Sequence, residues 1–252
     1  MNGTRITAEQ RTVSTRDAVT GQSVRDGGIA PSIGVEPDGM LWVAWQDARF
    51  TAGARNAIAV SRSGDGGSTW SAPVAVNMVP GSPAFAPTLA VRGDGLVVLT
   101  HYDLRNNTAD PATLLADLWM LSSRDGITWT ETRVSSTSFD IGMAPLTGMG
   151  YFLGDHHGLV TAGTAVLPVF VATTASADNR TDVFAPRLAG LTGVNAAHAA
   201  RALGVPLYAV EEDALRRDHN AAVALALALE RRMPGWQARA AALARIAAGD
   251  GR

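Results

Sequence analysis

Two Asp-x-Arg triplets, Asp47-Ala48-Arg49 and Asp103-Leu104-Arg105, stand 56 residues apart, and each follows an apolar run. A carboxylate and a guanidinium at this spacing can grip a polar ligand or tie their own loop, and the sequence leaves both readings open. Farther along, the stretch 139–156 carries Tyr151 and Asp155 among aromatic and acidic neighbours. The adjacent pair His156-His157 suggests a metal. Neighbours on an extended strand face opposite sides, however, and no third ligand stands at a suitable spacing, so no metal site is expected. The chain has no cysteine, which removes disulfides, thiolate metal sites and a cysteine nucleophile. No glycine pattern follows a strand and opens a helix as a nucleotide site requires, and no cofactor is expected.

The elements that must position these groups are repeated. Ala30–Val35, the turn Pro37-Asp38-Gly39 and Leu41–Arg49 return as Ala86–Val91, Gly93-Asp94-Gly95 and Leu96–Arg105. Each unit continues through an alternating strand, Ala57–Ser61 or Asp117–Leu121. A glycine-rich turn ending in tryptophan follows, then a last strand, Ala72–Asn77 or Thr130–Ser135. Four short strands per unit at this period predict antiparallel blades packed face to face, the architecture of a β-propeller. A third unit, Gly158 to Leu188, supplies three strands. Arg5–Ser14 reads as an isolated fourth strand, because Ile6–Val13 is similar to Ile127–Val134. The expected class is therefore mainly β, an incomplete propeller of about three four-stranded blades over residues 1–190. Such a body needs further blades or self-association to cover its faces.

The turns before the last strands are Ser63-Gly64-Asp65-Gly66-Gly67-Ser68-Thr69-Trp70 and, one residue shorter, Ser123-Arg124-Asp125-Gly126-Ile127-Thr128-Trp129. A short aspartate accepts backbone N–H bonds inside such a turn, and glycine permits positive φ. Trp70 and Trp129 are expected to be buried plugs beside the hairpins. Both turns resemble the Asp box of sialidase-like, or BNR-repeat, β-propellers. Gly150–Leu159, with Asn179–Phe184 after it, looks like the closing part of bacterial members. The resemblance covers about residues 5–189. It implies a propeller in proteins that are often exported and often exo-sialidases, and it implies a structural role for Asp65 and Asp125. A sialidase also needs an arginine cluster for the substrate carboxylate, a tyrosine nucleophile beside a carboxylate, and an acid/base aspartate. Here the Phe/Tyr-Arg-Ile-Pro motif of the family is absent, and Tyr102, Tyr151 and Tyr208 are the only tyrosines.

Strand direction locates the expected ligand. The antiparallel order sends the Asp boxes and the Pro37 and Gly93 turns to one end of the blades and the longer loops to the other. Asp47, Arg49, Asp103, Arg105, Tyr151 and Asp155 are thus the candidate ligand rim, for a glycan or a protein. A formal charge of −2 on 252 residues gives no footprint for nucleic acid, and no window is apolar enough to span a membrane. All of the basic side chains are arginine. The first 25 residues are polar, so no export signal is expected in them.

Near residue 190 alanine takes over and the apolar spacing becomes helical, which predicts an α-rich extension over 191–252. Its Asp218-His219-Asn220-Ala221-Ala222 segment faintly resembles Mur-type and folylpolyglutamate ligases, without their phosphate-binding loop. Together these features point to a sialidase-like propeller module that binds or supports and lacks a complete catalytic site. The alternative is a fragment of an exo-sialidase-type glycoside hydrolase.

Overall fold

The computed structural model describes residues 11–188, apart from 18–19, 27–29 and 156, together with Ile6. Strands β1 (Thr15–Arg16) and β2 (Ser23–Arg25) form a hairpin. β3 (Ser32–Val35), β4 (Leu41–Asp47), β5 (Ala57–Ser63) and β6 (Val74–Ala75) build a four-stranded antiparallel sheet in chain order. β7 (Ala84–Val91), β8 (Val97–Asp103), β9 (Leu115–Ser123) and β10 (Thr130–Arg133) build the next, and β11 (Phe139–Asp140) pairs with the start of β9. After β12 (Leu146–Thr147) and β13 (Gly150–Phe152) comes a third meander, β14 (Gly158–Ala162), β15 (Ala165–Thr173) and β16 (Thr181–Phe184). The Val166–Leu188 bridge prolongs that meander in the same register.

β7 touches both β3 and β14, so the first strands of the three meanders lie side by side. Successive antiparallel meanders in this arrangement are propeller blades, and the described part of the chain is a mainly β, incomplete propeller. Burial follows from position in the stack. The second strands β4 and β8 are buried almost throughout, each opening on an apolar run, Leu41–Trp45 or Val97–Leu99, and ending on buried polar groups, whereas β3 alternates between half-buried and exposed residues. Trp42, Ile58, Val60, Leu89, Leu99 and Leu121 fill the seam between the first two blades. Leu96, Val98, Met120 and Val166 join the second blade to the third. A third cluster, including Phe85, Tyr102, Phe139, Ile141, Leu153 and Phe170, packs under the segment between them. No helix among the described residues is long and apolar enough to cross a membrane.

Three local expectations are corrected. Residues 11–14 form no strand: Arg11 O accepts from Ala48 N at 2.5 Å, and Val13 exchanges bonds with the Asn56 side chain. The last strands are shorter than the apolar alternation suggests. Beyond β6 and β10 side chains take over the ladder, Asn77 Oδ1 accepting from Ile58 N at 2.9 Å and Ser135 Oγ from Leu118 N at 3.3 Å. Trp70 and Trp129 are half-buried, because each sits on a turn at the margin of its sheet and is covered on one side. The deep indoles are Trp42 and Trp45. The α-rich extension and Asp218–Ala222 lie outside the described residues.

Candidate functional site

At one end of the blades the turns are closed systems. Asp65 Oδ1 accepts from Ser63 Oγ at 2.8 Å and Thr69 N at 2.9 Å, and Oδ2 from Thr69 Oγ1 at 2.7 Å; Gly67 N donates to Ser63 Oγ at 2.9 Å. In the second turn Asp125 Oδ1 accepts from Thr128 N at 2.7 Å, Ile127 N at 2.8 Å and Ser123 Oγ at 3.1 Å. The Thr69 amide and hydroxyl, with the Ser63 hydroxyl, hold the Asp65 carboxyl down at about 2. The Thr128 and Ile127 amides do the same for Asp125. Gly126, at φ +67°, lies so close to Trp42 of the first blade that a Cβ would collide with the indole. Arg62 Nη1 of that blade donates to Asp125 O at 2.7 Å. This turn therefore fastens two blades together, with its carboxylate already engaged.

At the other end the two Asp-x-Arg triplets adopt one geometry. Buried Asp47 accepts from Arg49 N and Nε, both at 2.9 Å, and from Trp45 Nε1 at 2.9 Å. Buried Asp103 accepts from Arg105 N at 3.2 Å and Nε at 2.6 Å. Arg105 goes further: it forks onto Glu131 at 2.5 and 2.9 Å, and its guanidinium lies 3.8 Å from the Trp119 ring centroid. His101 Nε2 faces Glu131 Oε1 at 3.5 Å. Burial alone would raise the Glu131 carboxyl, but the Arg105 fork and His101 more than offset it and hold it at about 2. Burial pushes Asp103 up. Arg105 also borders a hollow of about 440 Å³ that includes Arg16 and Asn107.

A smaller cleft of about 130 Å³ opens where the first strands begin, lined by Asp26, Ser32, Thr88, Asp155 and His157. Pro31 and Pro87, from the repeated Ala-Pro step, form its apolar flank. Two strands distant in sequence lead into it: β2, just before Asp26, runs parallel to β13, three residues before Asp155, with Val24 opposite Tyr151 and Gly150 where a Cβ would collide with Ser23 O. Arg25 Nη2 meets Asp155 Oδ2 at 2.7 Å, with its guanidinium 4.0 Å from the Phe152 ring centroid. Asp26 Oδ2 accepts from Thr15 Oγ1 at 2.5 Å and Gln46 Nε2 at 3.1 Å. Behind the cleft Tyr102 is buried, stacked on Phe85 at 5.4 Å, and burial pushes its phenol up. His157 stands edge-on to it with centroids 5.0 Å apart.

Of the six rim residues read from the sequence, Asp155 lines this inner cleft. Tyr151 is half-buried against the core beneath it. Asp47 with Arg49, and Asp103 with Arg105, stand at the bases of loops on separate blades. The sequence reading did not pick out Asp26 or assign His157 to a ligand site. The Ala-Pro step was a partial signal: it directly precedes β3 but lies inside β7, at the register shift between Phe85 and Thr88, and none precedes β14.

No family model and no curated protein matches the chain. Among solved structures, the α-L-arabinanase of Penicillium chrysogenum complexed with arabinobiose aligns with TM-score 0.46 and 17% identity, over 63% of this chain and 45% of that one. A protein of unknown function from Dyadobacter fermentans aligns with TM-score 0.42 and 20% identity, over 70% and 53%. An α-L-arabinofuranosidase of Fusarium graminearum, also with arabinobiose, aligns with TM-score 0.38 and 16% identity, over 71% and 51%. The chain thus spans about half the length of the solved structures it matches.

Proposed function

We propose that this chain is a sialidase-like Asp-box propeller module that binds a glycan at the inner cleft. The observation that carries the reading is the convergence of Asp26 with Asp155 and His157, from two segments far apart in sequence, on one small cleft with proline flanks. Fixed acceptors beside an apolar wall suit a sugar ring, which offers hydroxyls at its edge and C–H groups on its faces. The two Ser–Asp–Thr–Trp turns, with their carboxylates enclosed by backbone donors, support the Asp-box assignment and a structural role for Asp65 and Asp125.

Binding rather than hydrolysis is favoured by the tyrosines. Tyr102 is buried with a raised phenol, and Tyr151 packs on the core, so neither is placed as a nucleophile. One observation favours the second reading, a fragment of an exo-acting glycosidase: Asp26 and Asp155 line the same cleft, and glycoside hydrolysis needs two carboxylates. A glycan array probed with the full chain, followed by calorimetry of the hits against Asp155→Ala, tests the first reading. Binding that Asp155→Ala weakens about tenfold or more supports it, and an array without hits refutes it. Turnover of fluorogenic glycosides that Asp26→Asn abolishes would establish the second.

A further inference from the structure

One buried side-chain amide joins two walls of the inner cleft. In β7, Ala86 and Pro87 together stand opposite the single residue His101, a bulge at the register shift between Phe85 and Thr88. Proline has no N–H for the ladder, and Ala86 takes a positive φ of +51°, where its Cβ crowds the backbone. Such a conformation persists only where the surroundings hold it. Gln46 of β4 supplies the hold. It is 2% exposed; its Oε1 accepts from Ala86 N at 3.0 Å, and its Nε2 donates to Asp26 Oδ2 at 3.1 Å. The backbone N–H can only donate, which fixes Oε1 on Ala86 and turns Nε2 to Asp26. This strand position has a counterpart. Fifty-six residues on stands Tyr102, whose hydroxyl accepts from Val171 N of the third meander at 3.1 Å. Both side chains thus tie a second strand to the backbone of the next blade, and the Gln46 tie reaches further, to a carboxylate that lines the cleft.

We propose that Gln46 is the positioning residue of the inner cleft: it holds Ala86 in its left-handed conformation and couples the Ala86–Pro87 wall to Asp26, so that a displacement of either is felt at the other. Asp26, Ala86 and Pro87 line the cleft, and Gln46 does not. Without the amide, the Ala86 N–H loses its acceptor and the strained φ its tether. The ladder cannot take that N–H back, because Pro87 interrupts the pairing. Asp26 keeps its bonds from Thr15 but is no longer linked to β7 through Gln46. The coupling stands on the hydrogen bonds alone; its effect on a ligand rests on the reading of the cleft as a glycan site.

Three measurements on the full chain separate the parts. The first needs no variant: a ¹⁵N–¹³C coupling is expected across the hydrogen bond from Ala86 N to Gln46 Cδ, and its absence from a spectrum that shows such couplings for the β8–β9 ladder overturns the proposal. The second is native-state amide exchange. Asp26→Ala is expected to speed exchange at Ala86 about tenfold or more and to leave Leu99 and Leu121 unchanged, whereas Asp26→Asn keeps an acceptor for Nε2 and restores slow exchange. An Ala86 amide that Asp26→Ala leaves unmoved overturns the coupling, as does a rise shared equally by Leu99 and Leu121, the mark of a general loss of stability. The third is calorimetry with arabinobiose and with the glycans found by the array. Gln46→Met is expected to weaken binding about tenfold or more. Adding Ala86→Gly, which accepts a positive φ without a tether, is expected to recover part of the loss. Equal affinity of Gln46→Met and wild type, or no recovery with Ala86→Gly, overturns the positioning role. A wild type that binds none of these probes refutes the glycan reading itself and leaves the coupling to be decided by the first two measurements.

Discussion

The two ends of the blades differ in how their turns and loops are closed. At the end that carries the Asp65 and Asp125 turns, each bond that closes a turn spans four residues or fewer, among Ser63, Asp65, Gly67 and Thr69 or among Ser123, Asp125, Ile127 and Thr128. At the loop end the short Asp47–Arg49 and Asp103–Arg105 ties are joined by bonds that span 43 residues from Val13 to Asn56, 90 from Asp17 to Asn107 and 130 from Arg25 to Asp155. Local closure can be copied from unit to unit with little change. Distant closure depends on which segments meet, so it differs at each blade, and there a cleft with a particular set of side chains can form.

The Arg105 cluster should give the largest effect, because it lies at the loop end yet is buried. Arg105→Met leaves Asp103 and Glu131 without their cation and is expected to cost roughly 3–5 kcal/mol. The corresponding change on the first blade, Arg49→Met, leaves Asp47 its bond from Trp45 and should cost about 1–2 kcal/mol. Urea denaturation midpoints check both, and equal losses would mean that the two loops do the same job. Next comes a pair of glycines, one at each end. Gly126→Ala imposes a strained φ and drives a methyl into Trp42, for an expected fall of roughly 2–4 kcal/mol. Gly150→Ala should unpair β2 from β13 and leave the blades intact, a fall of about 1–2 kcal/mol with faster amide exchange confined to Val24 and Arg25.

The smallest effect concerns acid. The Glu131 carboxyl sits at about 2 in the folded chain against an ordinary 4.5, so the folded state binds fewer protons than the unfolded one. Its stabilisation is therefore complete above about pH 4.5 and is lost as the pH falls towards 2. Asp103, pushed up by burial, acts in the opposite sense. Glu131→Gln should flatten the acid limb of a stability profile between about pH 4.5 and 2 without removing it, since Asp65 and Asp125 titrate in the same window. An unchanged limb would place the Glu131 charge outside the stabilising network.

The same contrast explains what could be read from the residues alone. The repeated runs around Asp47 and Asp103 and the turns at Asp65 and Asp125 are specified by neighbours in sequence, and the strands and turns stand where the spacing puts them. Residues 11–14 alternate like a strand, but their backbone groups bond to Ala48 and Asn56, a choice made by tertiary packing. The parallel pairing of β2 with β13 and the meeting of Asp26 with His157 carry no periodic signature at all. For Asp155, strand direction assigns its loop to the end at which the inner cleft opens. Strand direction does not say that Asp47 and Asp103 are committed to the arginines two residues on.

Amide shift mapping of the ¹⁵N-labelled full chain, titrated with the best glycan from the array, tests most directly whether the loop end carries the function. Binding at the inner cleft should perturb the amides of Arg25, Ser32, Thr88, Asp155 and His157 and leave those of residues 63–70 and 123–129 unmoved. Perturbations centred on the Asp65 and Asp125 turns, with the inner cleft silent, would contradict it.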